Sequence, residues 1–121
     1  MKLKPLILTV DRNHRNLELL AQFLDKEGYQ SFGVSSIDEF QQALTEVAEI
    51  GLVLVDIGGF DSQIWKLCEK LRDQQIPFLV ISPRQSSAIQ HESRASGARS
   101  MLVKPLVVKE LLRFIRSLLG E

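Results

Sequence analysis

The chain has one cysteine, Cys68, so it cannot close a disulfide within itself, and the composition fits a reducing compartment. It carries no excess charge. Over 121 residues, 15 basic side chains balance 15 acidic ones, which removes the electrostatic basis for direct nucleic-acid binding or for attraction to an anionic membrane. Long apolar runs are missing as well. The first ten residues hold two lysines and a short apolar stretch broken by Pro5, too little for a signal segment, and nothing later could span a bilayer. The expectation is a cytoplasmic protein without a membrane partner. No internal repeat and no linker composition divide the chain, so residues 1–121 read as a single domain, large enough for one core.

What is present is a set of short apolar runs that each end on a reactive side chain. Leu6–Val10 ends at Asp11, Leu52–Val55 at Asp56, Phe78–Ile81 at Ser82 and Met101–Val103 at Lys104. Buried parallel strands have this Val, Ile and Leu composition, and open parallel sheets bind ligands beyond the carboxyl ends of their strands. Two carboxylates, a hydroxyl and an ammonium are therefore expected along one sheet edge.

Helical patterns lie between the strands. Leu17, Leu20, Ala21 and Leu24 share one stripe, with Asn13 to cap it and Gly28 to end it. Tyr29–Val34 reads as a weaker strand with Phe32 and Val34 on one face. Ser36 and Glu39 have capping-box spacing ahead of Phe40, Ala43, Leu44 and Val47. Ile64, Leu67, Cys68 and Leu71 form a third stripe, capped by Asp61 or Ser62, and Pro77 opens the next strand. A helix after Ser82 should stop at Gly97, and a last one runs from about Val107 to Leu119. Five strand–helix units imply an α/β fold, a parallel sheet with helices on both faces.

These residues together resemble the receiver domain of response regulators, the phosphoacceptor half of two-component signalling, over nearly all of residues 4–120. The likeness rests on Val10-Asp11, Leu54-Val55-Asp56-Ile57, Val80-Ile81-Ser82, and Ala95-Ser96-Gly97-Ala98 leading to Leu102-Val103-Lys104-Pro105. It implies a doubly wound, flavodoxin-like (CheY-like) sheet of five strands in the order 2-1-3-4-5. It implies that Asp56 accepts a phosphoryl group from a histidine kinase or phosphotransfer protein, as a phosphoprotein switch within a phosphorelay. No enzyme activity beyond self-phosphorylation and self-dephosphorylation is implied. Lys104 would neutralise the transferred group, Ser82 would donate a hydroxyl to it, and the Lys104–Pro105 peptide would be cis. Asp11, Asp56 and the backbone carbonyl of Gly58 would hold Mg²⁺. The fourth helix, fifth strand and fifth helix would form the face for a downstream protein or a homodimer.

The chain also departs from that pattern. The second of two adjacent acids is replaced by Arg12, which removes an oxygen ligand and adds a positive charge, so Mg²⁺ dependence should be weakened. Arg12 either points to solvent or pairs with Asp56 in place of the cation; the pairing is expected, since opposite charges would share a partly desolvated pocket. Gly58-Gly59 should loosen the loop after Asp56. Met101 stands at the switch position that usually holds Tyr or Phe, and reads as a gap-filling side chain without aromatic switching. The segment Arg84–Ser96 has only Ala88, Ile89 and Ala95 as apolar residues, so its helix should be the least stable, with His91 on its surface. The last helix carries two stripes, one through Val108, Leu111, Leu112, Ile115 and Leu119 and one through Val107, Leu111, Phe114 and Leu118, either all core or part core and part partner face.

Three functions fit: a phosphorylatable receiver, a pseudo-receiver that acts as an interaction module without phosphate, and a flavodoxin-like cofactor binder or enzyme. Against the third, Asp11-Arg12-Asn13-His14 stands where a Ser/Thr/Gly-rich phosphate loop would follow the first strand.

Overall fold

Each apolar run forms a strand in the computed structural model, which describes residues 5–121. The elements alternate strictly: β1 (Leu6–Val10), α1 (His14–Lys26), β2 (Ser31–Val34), α2 (Ile37–Glu46), β3 (Ile50–Asp56), α3 (Gln63–Asp73), β4 (Phe78–Ser82), α4 (Ser87–Ala95), β5 (Ser100–Val103) and α5 (Val108–Leu118). All strand pairs are parallel, and the sheet order is β2-β1-β3-β4-β5. Among the described residues no helix is long and apolar enough to cross a membrane.

The two-residue period of the strands sorts their side chains into two cores. Leu8, Val10, Val53, Val55, Phe78 and Val80 face α2 and α3, where Phe40, Ala43, Ile64, Leu67, Cys68 and Leu71 meet them. Ile7, Leu52, Leu54, Leu79, Ile81 and Leu102 face α1 and α5, where Leu24, Leu111 and Ile115 close the layer. β1 lies between β2 and β3, so the chain winds one way from β1 and the other way from β3. That reversal opens a crevice at the carboxyl ends of those two strands.

Helix ends follow their local chemistry. Asn13 accepts from the Asn16 N–H at 3.0 Å, Ser36 Oγ from Glu39 N–H at 3.1 Å and Ser86 Oγ from Ile89 N–H at 3.2 Å. Glu39 closes its capping box one residue early: its carboxylate takes the Ser35 N–H and hydroxyl. At α3 the cap is Asp61, whose Oδ1 accepts from Gln63 N–H at 2.9 Å, while the Ser62 side chain makes no cap bond. Gly28 (φ +88°) ends α1 and turns the chain so sharply that Tyr29 is not part of β2. Its ring instead joins the α1/α5 core, and β2 begins at Ser31. Phe32, on that edge strand, is exposed.

α4 docks differently from the others. Its buried side is Ser93, with Ile89 partly buried and Ser96 buried just beyond the helix; Ala88, His91, Arg94 and Ala95 are exposed. Ser96 Oγ donates to the Glu92 and Ser93 carbonyls. Arg72 of α3 lies along Gly97 (φ +99°), where an added Cβ would come within 2.9 Å of its Cγ, and its guanidinium donates to the Ala95 carbonyl at 3.3 Å. In α5 the double stripe is only partly core. Leu111 and Ile115 are buried and Phe114, Leu118 and Leu119 pack beside them, whereas Val107 and Val108, at the helix start, are exposed.

Candidate functional site at the strand ends

Strand register brings the two carboxylates together. Val10 is level with Val55, so the next residues on the two strands are Asp11 and Asp56. Both are buried, at 8% and 4% exposure, beneath the crevice where the winding reverses. Lys104 reaches the same place from further out. Asp56 is level with Ile81 and Ser82 with Val103, so Lys104 starts beyond that last rung and extends its long side chain back. Its Nζ lies 2.5 Å from Asp56 Oδ2. The other oxygen, Oδ1, accepts the Gly58 N–H at 3.0 Å. The Asp56 carboxylate is thus held at both oxygens by donors from two different loops. The Lys104–Pro105 peptide is cis.

Asp11 is not held by a direct ion pair. Its Oδ1 accepts the Asn13 N–H at 2.9 Å, and among the described residues no cation is within ion-pair distance of it. Burial, together with the neighbouring Asp56 carboxylate, pushes the Asp11 carboxyl above its ordinary value of 3.8, against the opposing pull of that backbone N–H and of the Lys104 charge. Two facing carboxylates against a single ammonium suit a hard cation, and Mg²⁺ is commonly held by one or two carboxylates with water and substrate oxygens completing its shell. The donor set therefore fits Mg²⁺ with few protein ligands. Among the described residues no cluster of three or more His, Cys, Asp or Glu side chains stands ready for a metal.

The ion pair expected between Arg12 and Asp56 is not formed. Arg12 is exposed, its stem runs past Gly59, and its guanidinium lies over the Phe60 ring at 5.7 Å from the centroid. Two physical reasons account for this. Lys104 already occupies Asp56 Oδ2, and successive side chains at a strand end diverge, so that Asp11 turns into the site while Arg12 turns out. The loop expected to be loose is tied instead. Phe60 N–H donates to the Ile57 carbonyl at 3.2 Å, Gly59 takes φ +80° as the turn needs, and Arg12 covers the outside.

Ser82 ends β4 as expected and is fully buried, yet its hydroxyl serves the loop rather than Asp56. It donates to the Arg84 carbonyl at 2.6 Å. Met101 is half-buried against the α2/α3 core. Sequence reasoning assigned Gly58 a carbonyl role and missed its N–H. It also missed Phe60 and an apolar cleft beside the site; the signal for the cleft was Leu19 and Phe23, a second apolar pair one helical turn apart on α1.

Comparison with known proteins gives the family and the fold. The family model for the response regulator receiver domain matches residues 7–116. The transcriptional regulatory protein GltR of Pseudomonas aeruginosa is 32% identical over 117 residues, covering 93% of this chain and 48% of that protein. The heme response regulator HssR of Staphylococcus epidermidis is 26% identical, with 93% and 50% covered. The chain spans about half the length of these curated relatives. Among solved structures, a response regulator receiver protein from Pseudomonas putida superposes with a TM-score of 0.87 at 23% identity, covering 97% of this chain and 99% of that one. A CheY-like receiver domain protein from Methanospirillum hungatei gives 0.85 at 25% identity, with 96% and 94% covered.

Proposed function

The chain belongs to the response regulator receiver domain family, and from that premise we propose that Asp56 accepts a phosphoryl group and so switches the domain between two signalling states. The observation that carries the reading is the Asp56 carboxylate itself, buried yet oriented by Lys104 at one oxygen and Gly58 N–H at the other. A carboxylate fixed this way attacks phosphorus in line. The P–N bond of a phosphohistidine breaks as the O–P bond forms, and the leaving imidazole takes a proton. Lys104 then shifts from the free carboxylate to the oxygens of the transferred group, where its charge is worth most. Asp11 and Asp56 would hold Mg²⁺, with the Gly58 carbonyl as a further ligand; the ion supplies charge neutralisation of the phosphoryl oxygens. Arg12 offers no carboxylate where a third ligand would stand, which supports a weakened Mg²⁺ dependence.

The donor is a histidine kinase or a phosphotransfer protein in the cytoplasm, and the domain turns over no substrate other than its own aspartyl phosphate. The α4-β5-α5 face would carry the signal to a downstream protein or a second copy. Acetyl phosphate with Mg²⁺, followed by intact-mass measurement, tests the reading. One phosphoryl adduct in the native protein, absent in Asp56→Asn, is the expected result. No adduct in either protein transfers the case to a phosphate-independent interaction module.

A further inference from the structure

β2 forms the edge of the sheet away from β5, and phosphoryl transfer makes no use of it. Ile7 and Asp11 donate to the Gln30 and Val34 carbonyls, so the even-numbered residues of β2 face β1. By alternation Ser31 and Gly33 turn their N–H and C=O groups outward, and among the described residues no strand pairs with them. Edge strands are commonly protected by a lysine or a proline. β2 has neither in Ser31-Phe32-Gly33-Val34, and it holds Phe32 47% exposed. A groove of about 220 Å³ lies between this edge and α2. Phe32, Ala43 and Val47 give it an apolar lining, and the exposed Glu39, Gln42 and Glu46 a polar one. That volume is below the roughly 300–1,000 Å³ of small-molecule sites and suits one side chain of a longer segment.

Charge decides the occupant. The chain is neutral overall, yet it has no lysine or arginine between Lys26 and Lys66, and α2 carries Asp38, Glu39 and Glu46 without a basic residue. Among the described residues no ion pair reaches Glu39 or Glu46. A second copy pairing edge to edge would bring its own acidic α2 against this one, and like charges would meet. We infer that the β2 edge takes an extended basic segment of a partner protein as a sixth strand, with an apolar side chain in the groove against Phe32 and a lysine or arginine two residues to either side. The spacing follows from the geometry. Glu39 and Glu46 are seven residues apart on α2, about 10 Å along its axis, and side chains four apart on one face of a strand stand about 13 Å apart. Long basic side chains close that difference. Main-chain bonds to Ser31 and Gly33 supply affinity, and the groove with its two carboxylates supplies selectivity. The edge lies across the sheet from β5, so this docking leaves the α4-β5-α5 face free and stands whether or not Asp56 takes phosphate.

The test uses the whole chain and three capped peptides, followed by amide chemical shifts. The first peptide is Thr-Lys-Thr-Val-Thr-Lys-Thr. The second has glutamate in place of both lysines. The third is the first with its three central residues N-methylated, so that it cannot donate to β2 in either direction. The first should bind about tenfold more tightly than the second, the preference expected when two surface attractions become repulsions. The third should bind several-fold more weakly than the first. The shifts should centre on Ser31–Val34 and α2. Glu46→Lys, at an exposed helix position, should weaken the first peptide and strengthen the second, and Phe32→Thr, which keeps a strand-forming residue, should weaken both. No binding of the first peptide at millimolar concentration, equal affinities for the first two, an order that Glu46→Lys leaves unchanged, a third peptide as tight as the first, or shifts centred away from β2 would overturn the assignment. Shifts at β2 that move with protein concentration in the absence of peptide would overturn it as well and give the edge to a second copy.

Discussion

Asp11 sits where its own charge is unwelcome. Because burial and the neighbouring Asp56 raise its carboxyl above 3.8, the folded state binds its proton more tightly than the unfolded chain does, and ionising Asp11 works against the fold. The associated stability is complete below that ordinary value and is lost as pH rises through the folded one. Asp11→Asn keeps an oxygen for the Asn13 N–H and removes the charge. It should stabilise the protein at neutral pH by about 1 kcal/mol, or roughly 4 °C in Tm. In urea titrations across pH, the gap between variant and native protein should close toward acid; a gap of constant size would show that Asp11 is not strained. Arg12 makes the opposite case. Its pairing with Asp56 was read from adjacency in the chain, but adjacency at a strand end separates side chains, and Phe60, far along the sequence, was the nearer partner. Arg12→Asp adds an oxygen ligand and should tighten Mg²⁺ by about tenfold in direct titration. Unchanged affinity would mean that residue 12 does not reach the ion.

Among the elements, α4 was the most legible in character and the least in detail. Its scarcity of apolar residues is plain in the sequence, and the buried serines beneath it are what that scarcity produces. With so little apolar area to hold it, α4 should open locally before the rest of the fold. Native-state hydrogen exchange should find the amides of Ser87–Ala95 exchanging fastest among the five helices, and Ile89→Ala should speed them further with little effect on β3; uniform protection across the helices would refute this. α5 shows the converse limit. A repeating pattern identifies an amphipathic helix but not which of its apolar positions are covered, so the choice between an all-core stripe and a part-exposed one stayed open until the structure showed Val107 and Val108 exposed. The capping boxes tell the same story: Ser36 was readable from spacing, whereas the return of Glu39 to Ser35 depends on backbone direction.

At the scale of the molecule, the fold was readable because four apolar runs and their helical partners leave few topologies. The sheet order came through resemblance, while the register that sets Asp11 against Asp56 is a finding of the structure. Side-chain direction was the part sequence did not carry, as the hydroxyl of Ser82 shows by serving Arg84. The Lys104–Asp56 pair links the outer strand β5 to the central β3 across β4, so its loss should be felt globally. Lys104→Met leaves two carboxylates facing each other and should cost about 2 kcal/mol in chemical denaturation. Adding Asp56→Asn should recover most of that loss, and a double variant no more stable than the single one would mean that Lys104 acts through packing alone.

The bond from Arg72 to the last turn of α4 has a mechanical consequence. With its methylenes against Gly97 and its guanidinium on the Ala95 carbonyl, Arg72 pins the far end of α4 to α3. The near end follows a short, exposed segment at residues 83–85. Any force on α4 therefore works as on a lever with a fixed fulcrum at its carboxyl end. The free arm swings beside Ser82, and the neighbouring helix bears the reaction.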